Sequence, residues 1–545
     1  MPRHEPAGGL RQRVLRGGMW SVAEALGSRI ITTVVFLLLA RLLDPEAFGL
    51  VALALVFVAL TRLLVDQGFG SAIVQRQQLT KAHLDTAFWT SIVLGLLLGA
   101  LLIALSHPLA ALLDSPGLAP VLQVLASVVF IGSLTSTATA VLRRDFQFHR
   151  LAARKLAGAV IGGVAGVAAA LLGAGVWALV VQAVVQTVVG TVMLWAVTSY
   201  RPGLTVSRSA FRDLFGFSNS VLGMTMLNFL SKRSDDLLIG AVLGPTALGL
   251  YSVAYRLLNL MNEVLTRAVE LVALSAFSRL QHDLARLNRA YGEAIRTSAA
   301  LSAPSFLLVL VLAPDVVHVF LGDQWLAAVP VMQALSLAGI AHALGATTTT
   351  LLLSQGRSRT ALHLTTATTV LNVVGFLVAV SWGIVAVALA HTVRAFVMLP
   401  VSAWLSRRIL GFRWRSWLGH LAPALGSAVL MAGVVEVLRR FAMADAGAPT
   451  RLLVLVPLAA LVYAGALRLL SPAQFRALVG YARTVLTRGA VRAAATEETE
   501  PARDAPERPE EASALANLGR RDGDPDGGAQ HEQGSGRPSA REDGR

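Results

Sequence analysis

Apolar runs of about twenty residues, repeated along most of the chain, constrain this sequence more than any other feature in it. A helix needs about 20 mostly apolar residues to cross the roughly 30 Å hydrocarbon core of a bilayer. Fourteen such segments are legible: 19–43, 49–65, 86–106, 118–142, 156–172, 176–197, 211–230 extending toward 239, 247–269, 301–312 with its preceding turns, 326–353, 361–380, 384–405, 417–438 and 452–470. Composition agrees, since 55% of residues are hydrophobic and 14% charged, whereas an ordinary soluble chain is about 25% charged. The pattern predicts an all-α integral membrane protein of about fourteen transmembrane helices. No cleavable signal peptide is expected, because the first segment is of spanning length and no small-residue cleavage site follows a short apolar core.

The formal net charge of +15 suggests nucleic acid until its distribution is followed along the chain. From Glu497 onward there are thirteen acids and seven arginines, so the body before it carries the basic excess. Those bases sit in short polar gaps between apolar runs, where membrane topology is encoded, and nucleic acid drops out as a partner. Gaps after even-numbered segments hold Arg76 and Lys81, the run from Arg143 to Lys155, Arg201, Arg208, Arg279, Arg286, Arg357, Arg407 and Arg413 among others. Gaps after odd-numbered segments hold only Arg41 until Arg439, Arg440 and Arg451 break the rule between the last two. The bias puts both termini in the cytoplasm of a multi-pass membrane protein. With no cysteine in the chain, disulfides, thiolate metal sites and cysteine nucleophiles are all excluded. There is no metal-ligand spacing, phosphate-binding glycine loop or nucleophile elbow, so no catalytic residue, cofactor or metal is expected and the chain does not read as an enzyme. The glycines from Gly158 to Gly166 read as a helix-packing surface.

An internal repeat is visible. Leu43-Asp-Pro45-Glu-Ala47-Phe-Gly49-Leu50 returns as Leu243-Gly-Pro245-Thr-Ala247-Leu-Gly249-Leu250, and Gly175-Val-Trp-Ala178 as Gly383-Ile-Val-Ala386. Equivalent segments keep the same orientation, which implies two six-helix lobes related by a pseudo-two-fold axis along the membrane normal, with two C-terminal helices appended and a site at the midplane. The expected organisation is a cytoplasmic arm at 1–16, lobes at 17–200 and 201–410, two further helices with their flank at 411–492, and a disordered acidic tail at 493–545. Between segments eight and nine, Leu280, Leu284, Leu287 and Tyr291 recur at helical spacing among arginines, which predicts an amphipathic helix on the cytoplasmic interface.

Charged residues inside segments carry the functional signal, because each is costly in lipid. Segment eight places Tyr251, Tyr255, Arg256, Asn259, Asn262, Glu263 and Arg267 on less than half of its circumference, and segment one carries Ser21, Glu24, Ser28, Arg29 and Thr32 on one stripe. At about 1.5 Å per residue, Arg29 lies about 18 Å and Arg256 about 14 Å into the membrane, near the midplane. A hydrated interior explains them best. Arg62 lies nearer a membrane face with Asp66 four residues on, where an interfacial ion pair accounts for both. Lys232, Asp235 and Asp236 lie in segment seven; Lys232 and Asp236 at i, i+4 either neutralise each other or serve coupling and gating. His342, His363 and His391 stand singly on apolar helices and read as packing.

The stretch Asp235-Asp-Leu-Leu-Ile-Gly-Ala-Val-Leu-Gly-Pro-Thr-Ala-Leu-Gly-Leu-Tyr-Ser-Val-Ala-Tyr-Arg256 resembles the start of the second half in polysaccharide transporters of the multidrug/oligosaccharidyl-lipid/polysaccharide flippase superfamily. Leu38-Leu-Ala-Arg-Leu-Leu-Asp-Pro-Glu-Ala-Phe-Gly49, Asp66-Gln-Gly-Phe-Gly-Ser-Ala-Ile-Val-Gln-Arg76 and Arg143-Arg-Asp-Phe-Gln-Phe-His149 are similar to first-half counterparts, and the resemblance runs in order from about residue 10 to about residue 470. It implies a flippase in the bacterial cytoplasmic membrane that carries an undecaprenyl-diphosphate-linked oligosaccharide outward by alternating access, for capsule, O-antigen or exopolysaccharide assembly. It implies that Arg29, Arg62 and Arg256 bind substrate in a cationic cavity. Glu24, Lys232, Asp235, Asp236 and Glu263 are the coupling or gating candidates, with H+ or Na+ as the coupling ion. Membrane lipids surround such a protein, and a glycan polymerase or glycosyltransferases would be its partners. Two alternatives remain: a cation-coupled multidrug antiporter of the same fold, and a non-transporting membrane scaffold for glycan assembly.

Overall fold

The structure is a computed structural model and describes residues 27–66, 69–76, 78–476 and 478–480. The 1–16 arm, Ser21, Glu24 and the tail from residue 493 lie outside the described residues. Among the described residues every regular element is a helix: α1 (27–42), α2 (Pro45–Asp66), α3 (Phe69–Gln75), α4 (Lys81–Leu112), α5 (Leu118–Ser133), α6 (Ser136–Arg144), α7 (Phe148–Leu171), α8 (Val176–Val197), α9 (Arg208–Val242), α10 (Gly244–Arg279), α11 (Leu284–Phe320), α12 (Val329–Ser354), α13 (Ser358–Ala379), α14 (Ile384–Leu410), α15 (Trp414–Val437) and α16 (Ala448–Leu470), with a 3-10 turn at Asp323–Ala328 before α12. Helix is the form that satisfies every backbone group within one segment, which an apolar surrounding requires. Helix is present in each of the fourteen expected segments as far as they are described, and among the described residues eleven spans are long and apolar enough to cross a membrane. The segments outside that eleven are α1, described over a short stretch, and α9 and α10, whose charges lower their hydropathy.

Both copies of the internal repeat have structural counterparts. A Cβ on Gly49 would fall 1.7 Å from the Pro245 carbonyl oxygen, and one on Gly249 would fall 1.8 Å from the Pro45 carbonyl oxygen. The first turns of α2 and α10 therefore cross with their backbones touching, each repeat's glycine under the other's proline. The second echo supplies matching helix starts: Gly175 opens α8 at φ 55° and Gly383 opens α14 at φ 95°, in the region that favours glycine. The same end of the bundle is sealed by Trp325, fully buried, whose indole N–H donates to the Ala40 carbonyl at 2.7 Å, and by Arg41, whose Nη1 donates to the Val319 carbonyl at 2.7 Å.

Four expectations change. The fourth segment is broken between α5 and α6, where Arg62 Nη2 donates to the Val128 carbonyl at 3.0 Å and lies against Gly132, so a side chain enters the helix ladder just before the break. The short α3 was not anticipated; Phe69 and Ile73 bury it beside Ala140 and Leu214. The interfacial amphipathic helix is instead the first part of α11, which continues to Phe320, and Leu287 and Tyr291 are buried in the main core. Leu287 and Tyr291 pack on protein, which offers a larger apolar partner than a membrane surface does, while Leu284 is exposed and Leu280 follows the end of α10. The arginines that broke the charge bias are structural: buried Asp315 on α11 is met by Arg451 Nη1 at 3.2 Å and Arg439 Nη1 at 3.6 Å, and Glu436 takes Arg439 and Arg440. Arg439 and Arg451 fasten α15 and α16 to α11, and Arg440 stays with Glu436 on its own helix.

The segment between α8 and α9 is tied to α4. Asp85, fully buried, accepts from the Tyr200 hydroxyl at 3.1 Å and the Gly203 amide at 3.0 Å, while Trp89 donates to the Gly203 carbonyl at 2.8 Å. Burial, followed by the Asp85 hydrogen bond and charge, pushes the Tyr200 phenol above its ordinary range. The α7–α8 pair packs on Gly158, Gly162 and Gly166, where a Cβ would come within 2.9 Å of Gln182 or Gln186 atoms.

Candidate functional site

The arginines expected near the midplane meet along one seam. Arg29 on α1 pairs with Glu263 on α10, and the Arg256 guanidinium on α10 lies 4.2 Å from the ring centroid of Phe36 on α1. Moving seven residues forward on α1 moves seven back on α10, so the helices run antiparallel. The two arginines are then about 10 Å apart along the seam at 1.5 Å per residue. Each side chain of the Arg29–Glu263 pair keeps more than a third of its surface accessible, 39% and 51%, and an ion pair that open holds by no more than about 1 kcal/mol. An anionic ligand can therefore displace Glu263 from Arg29 cheaply. Arg256 has an aromatic face, not a carboxylate, as its close partner, which leaves its five donors available to an oxyanion.

Beside this seam runs a groove of about 430 Å³, lined by Ile30 and Val34 of α1, Leu260 and Val264 of α10, Ser305 of α11 and Arg29 at its polar edge. A cation at the rim of an apolar groove suits an amphiphile with an anionic head.

The polar arc of α10 serves two environments, which sequence periodicity did not separate. Arg256 and Glu263 face α1. Tyr251, fully buried, turns toward α9 and donates its hydroxyl to Asp235 Oδ2 at 3.0 Å, with Tyr255 stacked on it at 5.8 Å. Asp235 and Asp236 are both buried. Asp236 is held by Arg233 at 2.7 Å, so the expected Lys232–Asp236 pairing is replaced by an i, i+3 pair, and the Lys232 side chain is exposed. Both spacings are neighbours on a helix, and the reach of the arginine fork decides between them.

Sequence reasoning also passed over Arg394, a charge in the middle of α14 that its position alone could have marked. It is buried, its Nη2 lies 3.1 Å from His391 Nε2, its Nε has no hydrogen-bond partner among the described residues, and Asp235 and Tyr255 are within electrostatic reach. His391 packs flat on Phe376 and edge-on to Tyr255, which accords with a packing role for that ring.

Arg62 is not on the seam. It lines a separate cavity of about 640 Å³ within the first half, with Asp66, Arg143, Arg154 and Lys155. The expected Arg62–Asp66 ion pair gives way to the bond from Arg62 to the Val128 carbonyl, since the α5 backbone lies within its reach. The three arginines transferred by resemblance thus divide between two places.

Residues 38–330 match the family described as polysaccharide biosynthesis protein. Teichuronic acid biosynthesis protein TuaB of Bacillus subtilis (strain 168) is 24% identical over 403 residues, covering 73% of this chain and 83% of its own. Succinoglycan biosynthesis transport protein ExoT of Rhizobium meliloti (strain 1021) is 28% identical over 324 residues, or 59% of this chain and 66% of its own. The solved structure of the lipid II flippase MurJ, inward closed conformation, has a TM-score of 0.67 at 15% identity, covering 85% of this chain and 100% of that one. That likeness is one of fold. With the family match spanning more than half of its 545 residues, the chain belongs to the polysaccharide biosynthesis protein family.

Proposed function

We propose that this protein moves a polyprenyl-diphosphate-linked oligosaccharide across the cytoplasmic membrane by alternating access between its two halves. The observation that carries this reading is the α1–α10 seam, where Arg29 edges an apolar groove and Arg256 stands on Phe36 farther along the same pair of helices. Lipid would lie in the groove, diphosphate on the arginines, and the glycan in the hydrated space between the halves. Arginine suits the role because its planar fork pairs with phosphate oxygens two at a time and keeps its charge at any accessible pH. Buried Asp235 and Asp236 favour a second reading, a cation-coupled multidrug antiporter, and within the first reading the same acids with Lys232 and Glu263 are the places for H+ or Na+ coupling. Proteoliposomes separate the two readings. The flippase moves a lipid-linked oligosaccharide and leaves a cationic dye such as ethidium at the protein-free rate; dye transport without lipid transport overturns it.

Loop charge puts both termini in the cytoplasm, and single cysteines test this in the cysteine-free chain. Cysteines at Asp114, Gly244 and Asp323 should react with an impermeant maleimide from outside the cell, and those at Arg150, Arg208, Arg286 and Arg408 only after the membrane is opened. Labelling of positions 114 and 150 from the same side would refute the orientation.

A further inference from the structure

The first-half cavity is a cationic compartment that the seam does not use. Its wall carries Arg62, Arg143, Arg154 and Lys155 against one carboxylate, Asp66, and α2, α5, α6, α7 and α8 all contribute to it. Arg62 and Arg143 lie within electrostatic reach of Arg154, so like charges are gathered there at a cost that a bound anion would relieve. Two of the guanidiniums are already oriented: Arg154 Nη1 donates to Thr139 Oγ1 at 2.7 Å, and Arg62 Nη2 donates to the Val128 carbonyl at 3.0 Å. Arg62 Nε is buried with no hydrogen-bond partner among the described residues, a donor left over inside the cavity. The Ser71 hydroxyl also lines the wall, whereas the Thr187 hydroxyl there already donates to the Ala183 carbonyl at 2.8 Å. The volume, about 640 Å³, falls within the usual range for ligand sites.

We propose that this cavity is a second anion site, distinct from the seam, which takes a diphosphate group at the end of the first half that bears Arg143 and Lys155. That end is the one loop charge assigns to the cytoplasm, where the substrate of the flippase reading would be loaded, and the identity of the diphosphate as that substrate's head group rests on that reading. Among the described lining residues the cations outnumber the carboxylate by three, which matches the charge of a diphosphate ester better than that of a neutral sugar or a cation. Diphosphate chemistry could reach the cavity on a lipid or free in solution.

The test uses the full chain in nanodiscs of phosphatidylcholine, titrated with inorganic pyrophosphate in one arm and with farnesyl diphosphate added to the bilayer in the other. The Arg143→Gln/Arg154→Gln double variant should weaken binding by about tenfold or more. Arg256→Gln should lower translocation and leave this binding within about twofold, as expected of a distant site. Binding of pyrophosphate that depends on Arg143 and Arg154 identifies a site open to free diphosphate; equally dependent binding of farnesyl diphosphate alone identifies a lipid-borne one. Wild-type binding in neither arm, or binding that Arg256→Gln abolishes and the double variant spares, overturns the proposal. Should the double variant fail to fold, Arg154→Lys replaces it, with weakened binding expected at an unchanged melting temperature and wild-type affinity counting against the site. Absence of diphosphate binding in a wild-type protein that translocates would sink this site alone, whereas Arg143-dependent binding in a wild-type protein that translocates nothing would sink the flippase reading alone.

Discussion

Replacing Gly49 or Gly249 with alanine should cost this protein more stability than alanine at any other glycine of its helices. The new methyl group would stand 1.7 Å from the Pro245 carbonyl oxygen or 1.8 Å from the Pro45 carbonyl oxygen, and both obstacles are backbone that cannot rotate away. Overpacking of this kind costs about 1–3 kcal/mol or more, and here it falls on the crossing that joins the two halves. The melting temperature of the purified protein should drop in either variant. Because both substitutions force the same pair of backbones apart, the double variant should lose much less than the sum of the singles. Gly345→Ala, whose Cβ would meet nothing within 4 Å, serves as the control and should gain up to about 1 kcal/mol from helix propensity. Unchanged melting in both single variants would mean that α2 and α10 do not cross at these glycines.

Neutralising Arg29 or Arg256 should remove most translocation while leaving folded protein in the membrane. Each loses a charge-assisted contact worth about 1.5–3 kcal/mol, or about 10- to 150-fold in rate if the contact is made in the rate-limiting state. Arg29→Lys and Arg256→Lys should fall between, since charge remains and the two-pronged geometry does not. The structure sharpens the alternative that Arg29 serves only as the partner of Glu263. Such a pair predicts that Arg29→Gln lowers the amount of folded protein and that Glu263→Gln restores it, yet both side chains are open enough for the pair to contribute little. Arg256 stacks on Phe36, so Phe36→Leu should produce a smaller loss than Arg256→Gln. The deciding measurement is lipid-linked oligosaccharide translocation per folded molecule. Wild-type rates in both Arg29→Gln and Arg256→Gln would remove the diphosphate-binding assignment.

What the sequence determined alone is whatever depends on one segment at a time. The length of an apolar run sets whether a helix can cross a bilayer, and all the expected segments are helical as far as they are described. The repeated Pro-x-Ala-x-Gly pattern marked Gly49 and Gly249 as equivalent before their contact was known. Periodicity placed Arg256 and Glu263 on a polar face of α10, and both are there. The tertiary structure alone decided which partner each polar group receives. Arg62 meets the carbonyl of Val128, Asp85 receives Tyr200 and Asp315 receives Arg451, across sequence separations of 66, 115 and 136 residues. Helical periodicity fixes the direction of a side chain relative to its own axis and carries no information about which helix stands in that direction. Even the local choice of Arg233 over Lys232 for Asp236 turns on side-chain reach within a packed bundle, and the division of Arg29 and Arg256 from Arg62 turns on how α1, α2 and α10 are rotated against one another. Those rotations follow from side-chain packing and the close approach of small residues between segments far apart in the chain, so they exist only once the helices have assembled.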